Sequence, residues 1–174
     1  MTAFSVRYAV LAACVLGLIA VAGPNHLKTL TAAQAPDAAC ADATAPYAEV
    51  QIDGAPRLTL ELARTSQEHE VGLMFRTDLA PDAGMLFVYQ AQAREAYWMY
   101  NTLLPLSIAF IDADGTIVDI QDMPRLSDPS NVQEASQHTY PPAAPYWYAL
   151  EVNQGWFVQH GVGVGQQMVF CLGG

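Results

Sequence analysis

Basic side chains are scarce: 7 Lys and Arg stand against 17 Asp and Glu in 174 residues, for a net charge of -10. A nucleic-acid surface is built from clustered Lys and Arg, so this deficit argues against DNA or RNA as a partner. It disfavours an anionic membrane surface for the same reason. Charged residues of both signs make up only 14% of the chain, under the roughly 25% usual in soluble domains, so much of the sequence must be core or exported apolar segment. At 52% apolar the chain is too hydrophobic to remain disordered. Its four histidines, His26, His69, His138 and His160, include no pair at a metal-ligand spacing, which argues against a zinc enzyme. A Gly-x-Ser-x-Gly elbow, a phosphate-binding glycine loop and a dinucleotide fingerprint are also missing. No metal, no cofactor and no assigned catalytic residue is therefore expected.

No apolar run reaches the roughly 20 residues that span a bilayer. The apolar stretch Tyr8 to Ala22 after Arg7 has fifteen residues without a charge and fits a secretory signal peptide cleaved after Ala22, with Ala35 as a second small-x-small site. Two alternatives stay open: an uncleaved anchor over Phe4 to Ala22, and a lipoprotein box at Leu11-Ala12-Ala13-Cys14. A periplasmic or secreted location follows, with membrane contact only through this segment if it is retained. Removing residues 1 to 22 takes away Arg7 and no acid, leaving a charge of -11. Residues 23 to 46 are rich in Ala, Asp and Pro, lack periodicity and are expected to be an unstructured linker. Of the three cysteines, Cys14 leaves with the signal. Cys40 and Cys171 remain, an even count that suits an oxidising compartment and a disulfide between them, with two free thiols as the alternative.

The remaining residues, 47 to 174, alternate as short strands. Val50-Gln51-Ile52 and Leu58 to Leu62 read as a hairpin around Asp53-Gly54, a pair that accepts the positive φ of tight turns. Thr65-Ser66-Gln67-Glu68 has the spacing of a capping box and predicts a short helix near residues 66 to 73. Strand-length apolar runs follow at 84 to 89, 96 to 101, 106 to 111, 116 to 120, 146 to 152 and 167 to 172. Asp112-Ala113-Asp114-Gly115 reads as a turn. It is not a calcium loop, because its twelfth position is Met123 where a bidentate Glu is required. From 121 to 145 the chain makes a polar, Pro-rich excursion. The pattern predicts an α+β, mostly β domain: a compact antiparallel small barrel or half-barrel with one short helix.

Polar residues set among the apolar runs are the candidates for a site. Arg76, Asn101, Thr102 and Glu151 stand close to strand ends or within strands, and Trp98 opens the Trp98-Met99-Tyr100-Asn101-Thr102 stretch. One reading makes Arg76 and Glu151 a structural ion pair, with Asn101 and Thr102 satisfying turn backbone groups. The other makes them the floor of a ligand pocket walled by Trp98, Met99 and Trp156. Aromatics at Tyr140, Tyr146, Trp147, Tyr148, Trp156 and Phe157 are read as core. An exposed Trp147 face would instead dock a sugar or a protein. Met74, Met85, Met99, Met123 and Met168 read as packing rather than as copper ligands.

Thr65…Glu68…Gly72-Leu73-Met74-x-Arg76…Leu79…Gly84-Met85-Leu86-Phe87, then Trp98-Met99-x-Asn101-Thr102-x-x-Pro105-Leu106, Phe110-Ile111-x-x-x-Gly115 and Tyr140…Ala149-Leu150-Glu151-x-x-x-Gly155 occur in order. This set resembles the domain-of-unknown-function 192 family of conserved bacterial and archaeal proteins, over about residues 47 to 170. The resemblance implies an exported, compact, β-rich domain with a short helix, and brings no activity with it. Three departures stand out: Ser107 where the family typically has Asp after Pro-Leu, Gln166 where it has Asp, and Tyr100 in place of a frequent Lys. Loss of a carboxylate weakens an enzyme reading more than a binding one, since a hydroxyl still donates and accepts hydrogen bonds. The expectation is a binding or accessory module of the cell envelope, acting on an unknown small molecule or envelope component through Arg76, Trp98, Asn101, Thr102 and Glu151. The alternatives are a carboxylate-dependent hydrolase or transferase of envelope polymers with Glu151 as general base, and a scaffold docking another envelope protein.

Overall fold

A computed structural model describes residues 47–169 of the chain. The expected export segment, the linker, Cys40 and Cys171 lie outside the described residues. The chain enters as β1 (Tyr47–Ile52) and turns through Gly54, at φ +72°, into β2 (Leu58–Ala63), pairing antiparallel with Val50 opposite Leu58. Thr65 then caps α1 (Ser66–Val71): its Oγ1 accepts from Glu68 N at 3.2 Å while Glu68 Oε2 accepts from Thr65 N at 2.8 Å. The capping box read in the sequence is therefore formed. β3 (Ala83–Ala93) follows and lies parallel to β2, with Leu62 opposite Leu86. Antiparallel pairing was expected throughout. This pair is parallel because α1 and the turn after it carry the chain back to the starting end of β2, the crossover that parallel strands require.

The later elements are β4 (Tyr97–Trp98), β5 (Leu106–Ile111), β6 (Ile117–Met123), α2 (Val132–Gln137), β7 (Thr139–Tyr140), β8 (Tyr146–Asn153), α3 (Trp156–Gln159) and β9 (Met168–Val169). Seven strands form one sheet in the order β6-β5-β8-β3-β2-β1-β9, and β4 pairs with β7 separately. The large sheet curls until β9 meets the start of β6: Met168 N donates to Gly115 O at 2.9 Å and Ile117 N to Gln166 O at 2.9 Å. The α+β, mostly β half-barrel expected from the sequence is thus the observed architecture, with three short helices rather than one. α2 has no apolar periodicity to announce it. Asn131 nucleates it, its Oδ1 accepting from Gln133 N and Glu134 N at 3.0 and 3.1 Å.

Two packing layers result. Inside the curl, Val50, Ile52, Leu58, Leu60, Leu86, Ile111, Ile117, Leu150 and Val152 meet Trp156 and Phe157 of α3. On the outer face of the central strands, Met85, Phe87, Ile108, Phe110 and Ala149 are covered by Leu73, Met99 and Leu126 from the intervening loops and by Ala135 of α2. β5 is buried at all six positions because both its faces are covered. Four of the five methionines singled out in the sequence, Met85, Met99, Met123 and Met168, pack in these layers. Tyr146 and Tyr148, which regular strand alternation would put on one face, belong to different layers: Tyr146 packs in the outer cluster and Tyr148 against the inner one. The β3–β8 ladder shifts register between Val88 and Ala93, and that irregularity breaks the alternation.

Candidate functional site

Strand register fixes the first part of the site. Glu61 on β2, Met85 on β3, Glu151 on β8 and Ile108 on β5 stand opposite one another in a single row. Met85 and Ile108 place that row on the outer face. Glu151 is 5% exposed, with neither a cation nor a hydrogen-bond partner for its carboxyl among the described residues. Burial pushes this carboxyl up to about 8, so it is protonated at neutral pH. In the next row of the same face, where Phe87, Ala149 and Phe110 stand opposite one another, Tyr97 of β4 packs edge-on to Phe87 at 5.2 Å and to Phe110 at 5.8 Å, near enough for Glu151 to act on its hydroxyl. The Tyr97 hydroxyl is 3.0 Å from that of Tyr89. Burial, with smaller contributions from Tyr89 and Glu151, holds this phenol well above its ordinary range.

Arg76 does not reach Glu151. Its Nη2 donates to Glu61 Oε2 at 2.6 Å, and the two side chains are 45% and 29% exposed. A part-solvated partner at the margin of the face costs little desolvation, whereas a buried pair loses several kcal/mol per ion before any Coulombic gain. Glu151 lies two strands further in, roughly 10 Å at the usual strand spacing. The expected wall of Trp98, Met99 and Trp156 is not formed either. Met99 is buried in the outer layer, while Trp156 packs in the inner one and donates Nε1–H to Asp82 Oδ1 at 3.0 Å. Trp147 is half-buried rather than the centre of an exposed patch.

Trp98, Asn101 and Thr102 sit on the turn that covers the outer layer. Tyr97 points in, so Trp98, next along the strand, points out and is 40% exposed, its ring 5.3 Å from that of Tyr100. Thr102 is buried and donates to Tyr100 O at 3.2 Å, the structural role anticipated for it. Asn101 adopts a left-handed conformation, φ +52°; its N donates to Pro129 O at 2.7 Å and its O accepts from Phe75 N at 2.9 Å. Phe75 is itself left-handed, φ +62°, and 65% exposed. Sequence reasoning passed over it, since nothing in Gly72-Leu73-Met74-Phe75-Arg76 signals a bulky residue at positive φ. Contacts thus run from Arg76 through Phe75 to Asn101, and along the turn to Trp98 and to Tyr97 near Glu151.

The model of the DUF192 family, described as Uncharacterized ACR, matches residues 48–170. The chain belongs to the DUF192 family. Two solved structures are similar to it. One is a Sinorhizobium meliloti 1021 protein provisionally described as a transcription regulator: 34% identity, TM-score 0.62, covering 71% of this chain and 92% of that one. The other is a protein of unknown function from Novosphingobium aromaticivorans DSM 12444: 30% identity, TM-score 0.61, covering 71% of this chain and 85% of that one. No curated protein matches the chain.

The departures of this DUF192 member now have structural surroundings. Ser107 is buried; its hydroxyl donates to Asp122 Oδ1 on the paired strand β6 and accepts from Gly155 N at 2.9 Å. A carboxylate therefore reaches this spot from the neighbouring strand. Gln166 Oε1 accepts from Gly163 N at 2.6 Å and serves its own turn. Tyr100 packs on the outer layer and on Trp98. The Asp112 and Asp114 carboxylates turn inward on the β5–β6 turn, accepting from Thr116 N at 3.0 and 2.9 Å. A cavity of about 290 Å³ opens beside that turn, lined by Asp114, Gly115, Tyr148, Gln167 and Met168 among others. Among the described residues no group of three or more His, Cys, Asp or Glu is placed to hold a metal, and no helix is long and apolar enough to cross a membrane.

Proposed function

We propose that this DUF192 protein is an exported binding module of the cell envelope, recognising its ligand on the outer surface formed by Phe75, Arg76, Trp98 and Asn101. The observation that carries this reading is the pair of left-handed residues, Phe75 and Asn101, bonded to each other through Phe75 N and Asn101 O. Each such conformation costs on the order of 1 kcal/mol in a non-glycine residue. The strain does not serve the core, since Phe75 stands in solvent. What it achieves is placement: an exposed aromatic ring and a half-buried amide are carried on backbone tied together by Phe75 N to Asn101 O, on the same turn as Trp98. The acidic balance of the chain speaks against DNA binding, and so gives no support for carrying over the transcription-regulator description of the Sinorhizobium meliloti neighbour.

The test is native mass spectrometry of protein recovered from the periplasm, compared with Trp98→Ala made in the same way. A bound small molecule present on the first and depleted on the second is the expected result. Equal occupancy of both, or an empty wild-type protein, would remove the reading. The hydrolase alternative draws on one observation, the protonated Glu151 near Tyr97, because perturbed carboxyls concentrate at catalytic sites. At pH 7 Glu151 holds its proton and would enter such a reaction as acid before base. Glu151→Gln separates the two readings: turnover of an envelope polymer is lost under the enzyme reading, and ligand occupancy is kept under the binding one.

A further inference from the structure

The surface around Trp98 combines groups that suit one class of ligand. The Trp98 and Tyr100 rings stand 5.3 Å apart at 39°, with Trp98 40% exposed and Tyr100 half-buried beside it, and form an angled aromatic pair at the surface. Planar polar groups adjoin it. The Asn101 side-chain amide makes no hydrogen bond among the described residues, leaving a carbonyl acceptor and an NH₂ donor. The Arg76 guanidinium commits Nη2 to Glu61 and keeps its other N–H donors, and Glu61 keeps Oε1. Because Glu61 pairs with Arg76 at 2.6 Å, the charge of the guanidinium is compensated while both groups keep further hydrogen-bonding capacity. An anionic ligand finds its counter-charge already taken. An apolar peptide would cover the amide and the guanidinium without pairing them, which is unfavourable.

A pyranose ring matches both halves of the surface: its C–H face is apolar and lies flat on an aromatic ring, and its rim of hydroxyls both donates and accepts. We infer that this face binds a neutral sugar unit of a glycan. Trp98 stacks on the C–H face of the ring, and the Asn101 amide and the Arg76–Glu61 pair take its hydroxyls. The inference rests on the binding-module reading and names the ligand class for the same surface. The net charge of -10 acts in the same direction, repelling acidic polysaccharides.

The experiment applies the exported, periplasm-purified chain to an array of neutral, acidic and amino-sugar oligosaccharides, with apolar and basic peptides on the same surface. Neutral glycans are expected to retain the protein, and Trp98→Ala and Asn101→Gly each to weaken that retention at least tenfold, with unfolding midpoints close to wild type. Asn101→Gly keeps the left-handed backbone comfortable, so it reports on the amide even if Trp98→Ala fails to fold. Retention by peptides alone, still dependent on Trp98, overturns the sugar inference and leaves the binding module standing. Retention only by acidic or amino sugars overturns it too, as does glycan binding indifferent to both substitutions. If nothing on the array binds in a Trp98-dependent way, the inference and the binding-module reading both fall.

Discussion

Glu151 is a carboxyl without a counter-ion, and its position makes the stability of the protein depend on pH in a specific direction. Its ordinary value is 4.5 and its folded value about 8. Between these limits the native state holds a proton that the unfolded chain has released, so stability falls as pH rises. The loss is absent below about 4.5 and complete above about 8, and amounts to a few kcal/mol. Glu151→Gln keeps the shape and cannot ionise. Thermal unfolding from pH 5 to pH 9 should show the variant overtaking wild type as pH rises; parallel curves would mean the carboxyl is not buried as described. Phe75 supports a complementary prediction. Phe75→Gly relieves the left-handed strain of a bulky residue, worth about 0.5–1 kcal/mol of added stability, less a little for the freer unfolded chain. Ligand occupancy should drop while the unfolding midpoint holds or rises. A midpoint that falls by several degrees would make Phe75 structural.

The elements differ in how openly the sequence announces them. The Asp53-Gly54 turn and the Thr65–Glu68 capping box are local, each complete within four residues, and both form as read. The parallel placement of β3 against β2 is not local, because it depends on where α1 and the loop after it return the chain. β5, buried at all six positions, shows no alternation from which to tell its two faces apart. Asn131 caps α2 in a segment without apolar periodicity. Arg76 was legible as a cation in need of a partner, yet the choice among acids is made by strand register, which put Glu61 at the wet margin and Glu151 near Tyr97. β3 also carries a sharp test of the ladder itself. A Cβ on Gly84 would stand 2.3 Å from Glu151 O and 3.0 Å from side-chain carbons of Leu60 and Val152, so both neighbouring strands, β2 and β8, close on this residue. Gly84→Ala should destabilise by about 1–3 kcal/mol, because a backbone oxygen cannot step aside as a side-chain tip can. Denaturant titration with an unchanged midpoint would contradict the packing of β2, β3 and β8.

At the scale of the whole molecule, the half-barrel nearly closes at a seam. β9 pairs antiparallel with β1, Ile52 opposite Met168 and Gln51 opposite Val169. Cys171 lies two residues past Val169, and Cys40 seven residues before Tyr47. Both cysteines lie outside the described residues, and the disulfide expected from the sequence is kept as a proposal. A Cys40–Cys171 bond would tie down the sheet edge with the weakest hold, since β9 is a two-residue strand. In the chain-entropy model, closing so long a loop adds roughly 4 to 5 kcal/mol, less whatever order the ends already have. Periplasmic protein should then have a mass lacking residues 1–22, gain two hydrogens on reduction, and unfold at a lower temperature once reduced. Labelling of both thiols before any reductant is added would exclude the bond, and leave the described part of the seam to backbone bonds such as those of Gly115, Gly165, Gln166 and Met168.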